Sequence, residues 1–188
     1  MPRKSTHSGH CQLCGCIQKL PGGLMANHGY RVDKNYGFFA GACRGSRYLP
    51  FEQSTNLIED AIQRQEKEIT NTTKYIQNLQ ESKDNDKAWL RLYDRKIYKY
   101  YWVYAPIIWK KKTYSNSSWF APYSIHKDTK EEFAVSTSAS LPRTEEGKLE
   151  FIKSLNLPRI NELKRQIKSA EEYVTWQKGR LETWQYSE

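Results

Sequence analysis

Residues 159–188 read RINELKRQIKSAEEYVTWQKGRLETWQYSE. Within them Ile160, Leu163, Ile167, Ala170, Val174, Gln177, Leu181 and Trp184 alternate steps of three and four over nearly four heptads. An α-helix turns once in about 3.6 residues, so this spacing puts all of them on one stripe that must be buried. Pro158 marks the expected start of that helix. A second helix is predicted over 54–81. Ser54 or Thr55 offers an N-cap oxygen there, Glu59 and Asp60 suit the positive end of the dipole, and Ile58, Ile62, Ile69, Ile76 and Leu79 keep the heptad period. Two such helices predict an antiparallel coiled-coil stalk within one chain, and the same seams would also serve a homodimer. Each seam carries a polar residue, Gln65 or Gln177, of the kind that fixes register at some cost in stability.

What lies between the helices is then an insert. IYKYYWVY, residues 97–104, is rich in β-branched and aromatic side chains and predicts a strand. Trp89, Tyr93, Ile97, Tyr100 and Tyr104 also keep a helical 4,4,3,4 spacing, so the segment supports both readings. Further strands are expected over 107–114, 119–126 and 132–137, separated by SNSS and KDTK turn chemistry, and a short helix over 144–155. The predicted class is α+β in four parts: a Cys- and His-bearing module over 1–50, a coiled-coil helix over 51–83, a β-rich basic and aromatic insert over 84–158, and the second coiled-coil helix over 159–188.

The N-terminal part carries the sharpest chemistry. Cys11-Gln-Leu-Cys14-Gly15 is a C-x2-C-G knuckle, followed by His28-Gly29 and Cys43-Arg-Gly45. Two thiolates at this spacing can share one Zn²⁺ at about 2.3 Å each, and His28 and Cys43 would complete a tetrahedron. Cys16, His7 and His10 are rival ligands. A closed four-ligand site has no open position for water, so the zinc is expected to be structural. An HNH-type nuclease is the enzyme reading that remains, because Asn27-His28 echoes its letters, but His28 is better used as a ligand and no acidic residue precedes it. His126 has Asp128 nearby without a nucleophile in local register. No Gly-rich phosphate loop, Ser-centred nucleophile elbow or metalloprotease helix motif is present. The expectation is a non-enzymatic protein.

Charge is unevenly spread over the chain, whose net charge is +9. Residues 1–50 hold net +6 and residues 88–130 net +7, while the two helical parts are neutral to acidic. Residues 88–123 also hold 12 of the 25 aromatics. Rings beside cations suit nucleic acid, because bases stack on the rings and lysines neutralise phosphates. The candidates are Arg31, Lys34, Arg44 and Arg47 in the first segment, and Lys99, Trp102, Trp109, Lys110, Lys111, Lys112 and Trp119 in the second. The same aromatics could instead fill the core of a thin sheet or anchor a protein partner. The module lacks the ligand spacing of a ββα finger, so sequence-specific reading of the major groove is not supported.

No apolar run approaches the roughly 20 residues of a membrane span, and MPRKSTHSGH has no apolar stretch after its charges, so a cytoplasmic protein without a membrane partner is expected. CQLCG, HGY, CRGSRYLPFE, the heptad helix and LETW together resemble a group of uncharacterised phage- and plasmid-encoded proteins in which a Cys/His knuckle precedes a coiled-coil hairpin with a β-rich insert. That resemblance implies a mobile-element setting and carries no activity with it. The function expected is nucleic-acid binding, of DNA or RNA, with little sequence preference. The alternative is a protein-interaction factor, such as a phage-encoded inhibitor of a host defence complex, anti-CRISPR-like or anti-restriction-like.

Overall fold

The computed structural model describes residues 7–31, 39–81, 86–94, 97–115, 117–125, 130–135 and 142–185, with the backbone alone for Tyr30, Arg31, Phe39, Ala40, Asp94, Tyr114 and Ser117. The protein is mixed α and β. It divides into two compact units, Met1–Ile69 with Ser169–Glu188, and Thr70–Lys168.

In the first unit, β1 (Ser8–His10) pairs antiparallel with β2 (Ile17–Lys19), and β3 (Gly29–Arg31) pairs antiparallel with β4 (Phe39–Ala42). Helix α1 (Asn56–Gln80) begins here, with the Asn56 N–H donating to Ser54 Oγ (3.4 Å). Ile58 and Ile62 of α1 pack with Val174 of helix α2 (Glu145–Glu182), and Phe51, Ile69 and Leu181 flank them.

In the second unit, Ile76 and Leu79 of α1 pack with Ile160 and Leu163 of α2. Strands β5 (Lys87–Asp94) and β6 (Lys99–Pro106) form an antiparallel hairpin, and β7 (Ile108–Tyr114), β8 (Ser117–Ile125) and β9 (Glu132–Ala134) form a three-stranded antiparallel sheet. Ala88 lies opposite Ala105, and these small side chains leave room for Ile152 of α2, which is fully buried among Ala88, Leu90, Ala105 and Ile107. Asn156, also buried, accepts the Trp89 backbone N–H (2.9 Å), so α2 satisfies a donor on β5 that β6 does not.

Two elements differ from the sequence expectation. The second helix starts at Glu145, absorbs the short helix expected over 144–155, and passes through Pro158 without a break. Proline removes one helical N–H and crowds the carbonyl four residues back, usually at about 3 kcal/mol or more. Here Ser154, whose carbonyl is the one freed, is exposed, so water can take it, while buried Ile152, Asn156, Ile160 and Leu163 hold the turns on both sides. The apolar stripe runs through the proline and outweighs it. Strand β5 is the second difference. The helical spacing of Trp89 and Tyr93 hid a period of two, in which Ala88, Leu90 and Leu92 turn to one face and Trp89, Arg91 and Tyr93 to the other. No helix of the described residues is long and apolar enough to cross a membrane.

Candidate functional site

Two hairpins bring four ligand-type side chains together. Cys11 and Cys14 sit in the loop that closes β1 onto β2, where the Cys11 N–H donates to the Cys16 carbonyl (2.9 Å) and the Gly15 N–H to the Cys11 carbonyl (3.0 Å). Gly15 has φ +69, a left-handed conformation that favours glycine. His28 precedes β3 and Cys43 follows β4, and the Cys43 N–H donates to the His28 carbonyl (2.7 Å) at the base of that hairpin. The ligand atoms of Cys11, Cys14, His28 and Cys43 all lie within 4.8 Å of one another and could hold a metal ion.

Two distances within the cluster match metal ligation. Cys11 Sγ and Cys43 Sγ are 3.8 Å apart, and Cys14 Sγ and His28 Nε2 are 3.4 Å apart. Tetrahedral binding at the usual bond lengths separates two sulfurs by about 3.8 Å and a sulfur and a nitrogen by about 3.5 Å. His28 Nδ1–H donates to the Ala26 carbonyl (2.9 Å), which leaves the Nε2 lone pair for a metal. Gly45 completes the enclosure, because a Cβ there would lie 2.4 Å from Cys11 Sγ. Burial pushes the thiols of Cys14 and Cys43 up, and neighbouring thiols add to this against opposing backbone amides. A bound divalent cation reverses that preference by attracting the thiolates. Of the rival ligands, Cys16 is exposed and lies outside the cluster, as do His7 and His10.

Side chains outside the four ligands hold the knuckle from behind, and the sequence alone did not reveal them. The buried Gln12 side chain donates through Nε2 to the Leu49 carbonyl (2.9 Å) and accepts the Leu57 N–H through Oε1 (2.9 Å), joining the knuckle to the first turn of α1. From α2, Gln177 Nε2 donates to the Leu13 carbonyl (3.0 Å), and Arg180 donates to the carbonyls of Gln12 and Cys11, the latter at 3.1 Å. The Arg180 guanidinium lies 4.1 Å from the Phe51 ring centre and 4.7 Å from that of Trp176. Burial lowers the pKa of Arg180 and the neighbouring thiols raise it. With a divalent cation bound to three thiolates the centre would carry a net negative charge, which this guanidinium would offset.

His10 pairs with Glu52, whose carboxylate also accepts the His10 backbone N–H (3.1 Å). Burial raises the Glu52 pKa, but these hydrogen bonds outweigh it and hold the carboxyl below its usual value. A carboxylate with a depressed folded-state pKa contributes stability above the unfolded value, and that contribution is lost as pH falls through the folded value. Thermal unfolding followed below about pH 4.5, the ordinary carboxyl range, should show a smaller acid-induced loss in Glu52→Gln than in the wild type. Parallel acid curves for the two proteins would refute this.

The other sequence candidates scatter. Arg44 and Arg47 are exposed beside the cluster, and Arg47 Nε donates to Asn27 Oδ1 (3.1 Å). The Arg31 side chain, Lys34, His126 and Asp128 lie outside the described residues. In the second unit, Lys110 is ion-paired with Glu132 and lies 5.0 Å from the Tyr123 ring centre, with Lys112 at 5.9 Å. Lys99, Lys111 and Lys112 are exposed, and Trp119 stands opposite Lys112 in register. Trp109 packs edge-on against Phe151 (5.7 Å) beside the core, so its ring fills space. Trp102 lies on the outer face of β6, where the Arg159 guanidinium stands 5.8 Å from its ring and 5.1 Å from that of Trp89. Arg91, missed in the sequence, lies 4.5 Å from the Tyr100 ring centre. Comparison with protein-family models, curated proteins and solved structures finds no match for this chain.

Proposed function

We propose that this chain is a non-enzymatic, zinc-stabilised protein that binds nucleic acid. Three thiolates and an imidazole in a closed set of four favour zinc over the harder cations, which prefer oxygen. Four protein ligands leave no position for substrate or an activated water, so the metal's role is to hold the two hairpins together. The heptad faces pair within one chain as an antiparallel coiled coil, a reading supported by the Ile58–Ile62–Val174 and Ile76–Leu79–Ile160–Leu163 clusters.

One observation carries the nucleic-acid reading. In the second unit, cations of the β-rich insert stand over aromatic rings on the sheets, Arg91 over Tyr100 and Lys110 and Lys112 over Tyr123. A polyanion with flat bases meets both chemistries at once. The exposure of Ile97 (59%) and Tyr98 (79%) favours a second reading, in which the hairpin end grips a protein such as a host defence complex.

Salt separates the two readings, because counterion release makes phosphate binding fall steeply with ionic strength. Titration of labelled DNA and RNA at several salt concentrations should show steep dependence. Reversing Lys110, Lys111 and Lys112 to Glu should abolish binding. Unchanged affinity in that variant would remove these lysines from the role, and absent or only weak binding at low salt would favour the protein-partner reading.

A further inference from the structure

The hairpin β5–β6 has two unlike faces. Leu90, Leu92 and Val103 belong to one core cluster, whereas Trp89, Arg91, Tyr93, Tyr100, Trp102 and Tyr104 share the opposite face by register. There Trp89 packs on the Ile76–Leu79–Ile160–Leu163 cluster and donates through Nε1 to Tyr75 Oη (2.6 Å). Tyr100 is 61% exposed and Tyr93 46%. Their rings lie 4.9 Å apart, and those of Trp89 and Tyr104 lie 5.4 Å apart. Packing accounts for Trp89, but it does not account for Tyr93 and Tyr100, whose rings are in solvent farther along the same face.

A groove of about 520 Å³ lies along β5, lined from this face by Trp89, Arg91 and Trp102 and from the core side by Leu90, Leu92 and Phe133. Sites that enclose small ligands span about 300–1,000 Å³. Beside it, Arg159 stacks on Trp89 and Trp102, its Nη1 bonds Glu162 (3.2 Å), and its buried Nε has no hydrogen-bond partner. Buried donors are rarely left so. Arg91 has no hydrogen-bond or ion-pair partner among the described residues, and a guanidinium resting on a ring keeps its N–H edge for an anion.

We propose that this face is a track for single-stranded nucleic acid. One nucleotide lodges in the groove with its base against Trp102, its phosphate is held by Arg91, and the next bases stack on Tyr100 and Tyr93. A duplex keeps its bases paired and cannot present their flat faces to these rings. The proposal rests on the nucleic-acid reading and narrows it to a strand state and a surface apart from the lysines of β7.

The test uses the full, metal-loaded chain and fluorescent oligonucleotides of about 16 nucleotides, DNA and RNA, as single strands and as duplexes. Single strands should bind more tightly than duplexes at matched salt. Trp102→Ala should weaken single-strand binding by about tenfold or more, the usual effect of one lost stacking ring. Arg91→Gln should lower the salt slope by about one. Tyr100→Leu guards against misfolding, because the ring it removes is largely exposed, and it should weaken binding in the same direction. Wild-type affinity in all three variants, with loss in the lysine-reversal variant, overturns the track and leaves the nucleic-acid reading intact. A preference for duplex also overturns the track. Failure of the wild type to bind any of the oligonucleotides overturns both and assigns the exposed tyrosines to a protein partner.

Discussion

Stripping the metal with a chelator, or replacing Cys14 with serine, should remove the order of the β1–β2 and β3–β4 hairpins while leaving α1 and α2 helical. The buried apolar cluster that includes the ligands consists of Cys11, Met25 and Cys43, with Leu13, Cys14 and Leu20 packed partly against it. Two of its three buried members are themselves ligands, so little hydrophobic free energy remains once the ion is gone. Structural zinc, the ion proposed for these four ligands, supplies about 10–16 kcal/mol in small zinc domains, more than the stability of most small domains. The helices have their own burial in the Ile58–Ile62–Val174 and Ile76–Leu79–Ile160–Leu163 clusters, which share no residue with the metal ligands. Amide exchange should therefore accelerate across both hairpins and stay slow in α1 and α2. Metal analysis should give one ion per chain in the wild type and none in Cys14→Ser. Gly45→Ala should reproduce the loss with all four ligands intact, since the new methyl would collide with Cys11 Sγ. A metal-free protein whose hairpin amides stay as protected as the wild type's would refute the structural role.

Much of this arrangement was legible in the sequence because it rests on local spacing. C-x2-C-G predicts a turn that turns two sulfurs to one side, and the four ligand types converge in the structure. Of the heptad positions, Ile58, Ile62, Ile76, Leu79, Ile160, Leu163, Val174 and Gln177 are buried. What was hidden depends on contacts distant in sequence. Gln12 joins Leu49 and Leu57, and Arg180 reaches the carbonyls of Cys11 and Gln12 across most of the chain length. No periodicity signals such pairs. Strand β5 was hidden for a different reason, since a run of aromatics fits a helical spacing until its partner strand fixes a period of two. Pro158 misled because the penalty of proline is local, whereas the burial that offsets it is spread over Ile152, Asn156, Ile160 and Leu163.

Gln177 gives the sharpest test of the structure against the simple heptad pattern. At a coiled-coil seam a polar residue fixes register at a cost, so Gln177→Leu should then stabilise the protein. The structure predicts the opposite sign. The side chain is fully buried, and its Nε2 donates to the Leu13 carbonyl and to Tyr173 Oη (2.7 Å), while its Oε1 accepts from Arg180 Nη1 (2.9 Å). Leucine would satisfy none of these groups. Leaving buried polar partners unmatched costs about 1–3 kcal/mol, so Gln177→Leu should lower the urea midpoint with little change in slope. Arg180→Leu should cost at least as much, because it takes the donor from the carbonyls of Cys11 and Gln12, the cation from its stack on Phe51 and Trp176, and the charge that offsets the metal centre. The double variant should cost less than the two single losses combined, since the residues share a hydrogen bond and a target loop. Both variants should also release metal more readily to a competing chelator, because the carbonyls they hold belong to the loop that presents Cys11 and Cys14. An unchanged or higher urea midpoint for Gln177→Leu would instead place residue 177 in an ordinary helical seam and detach α2 from the knuckle.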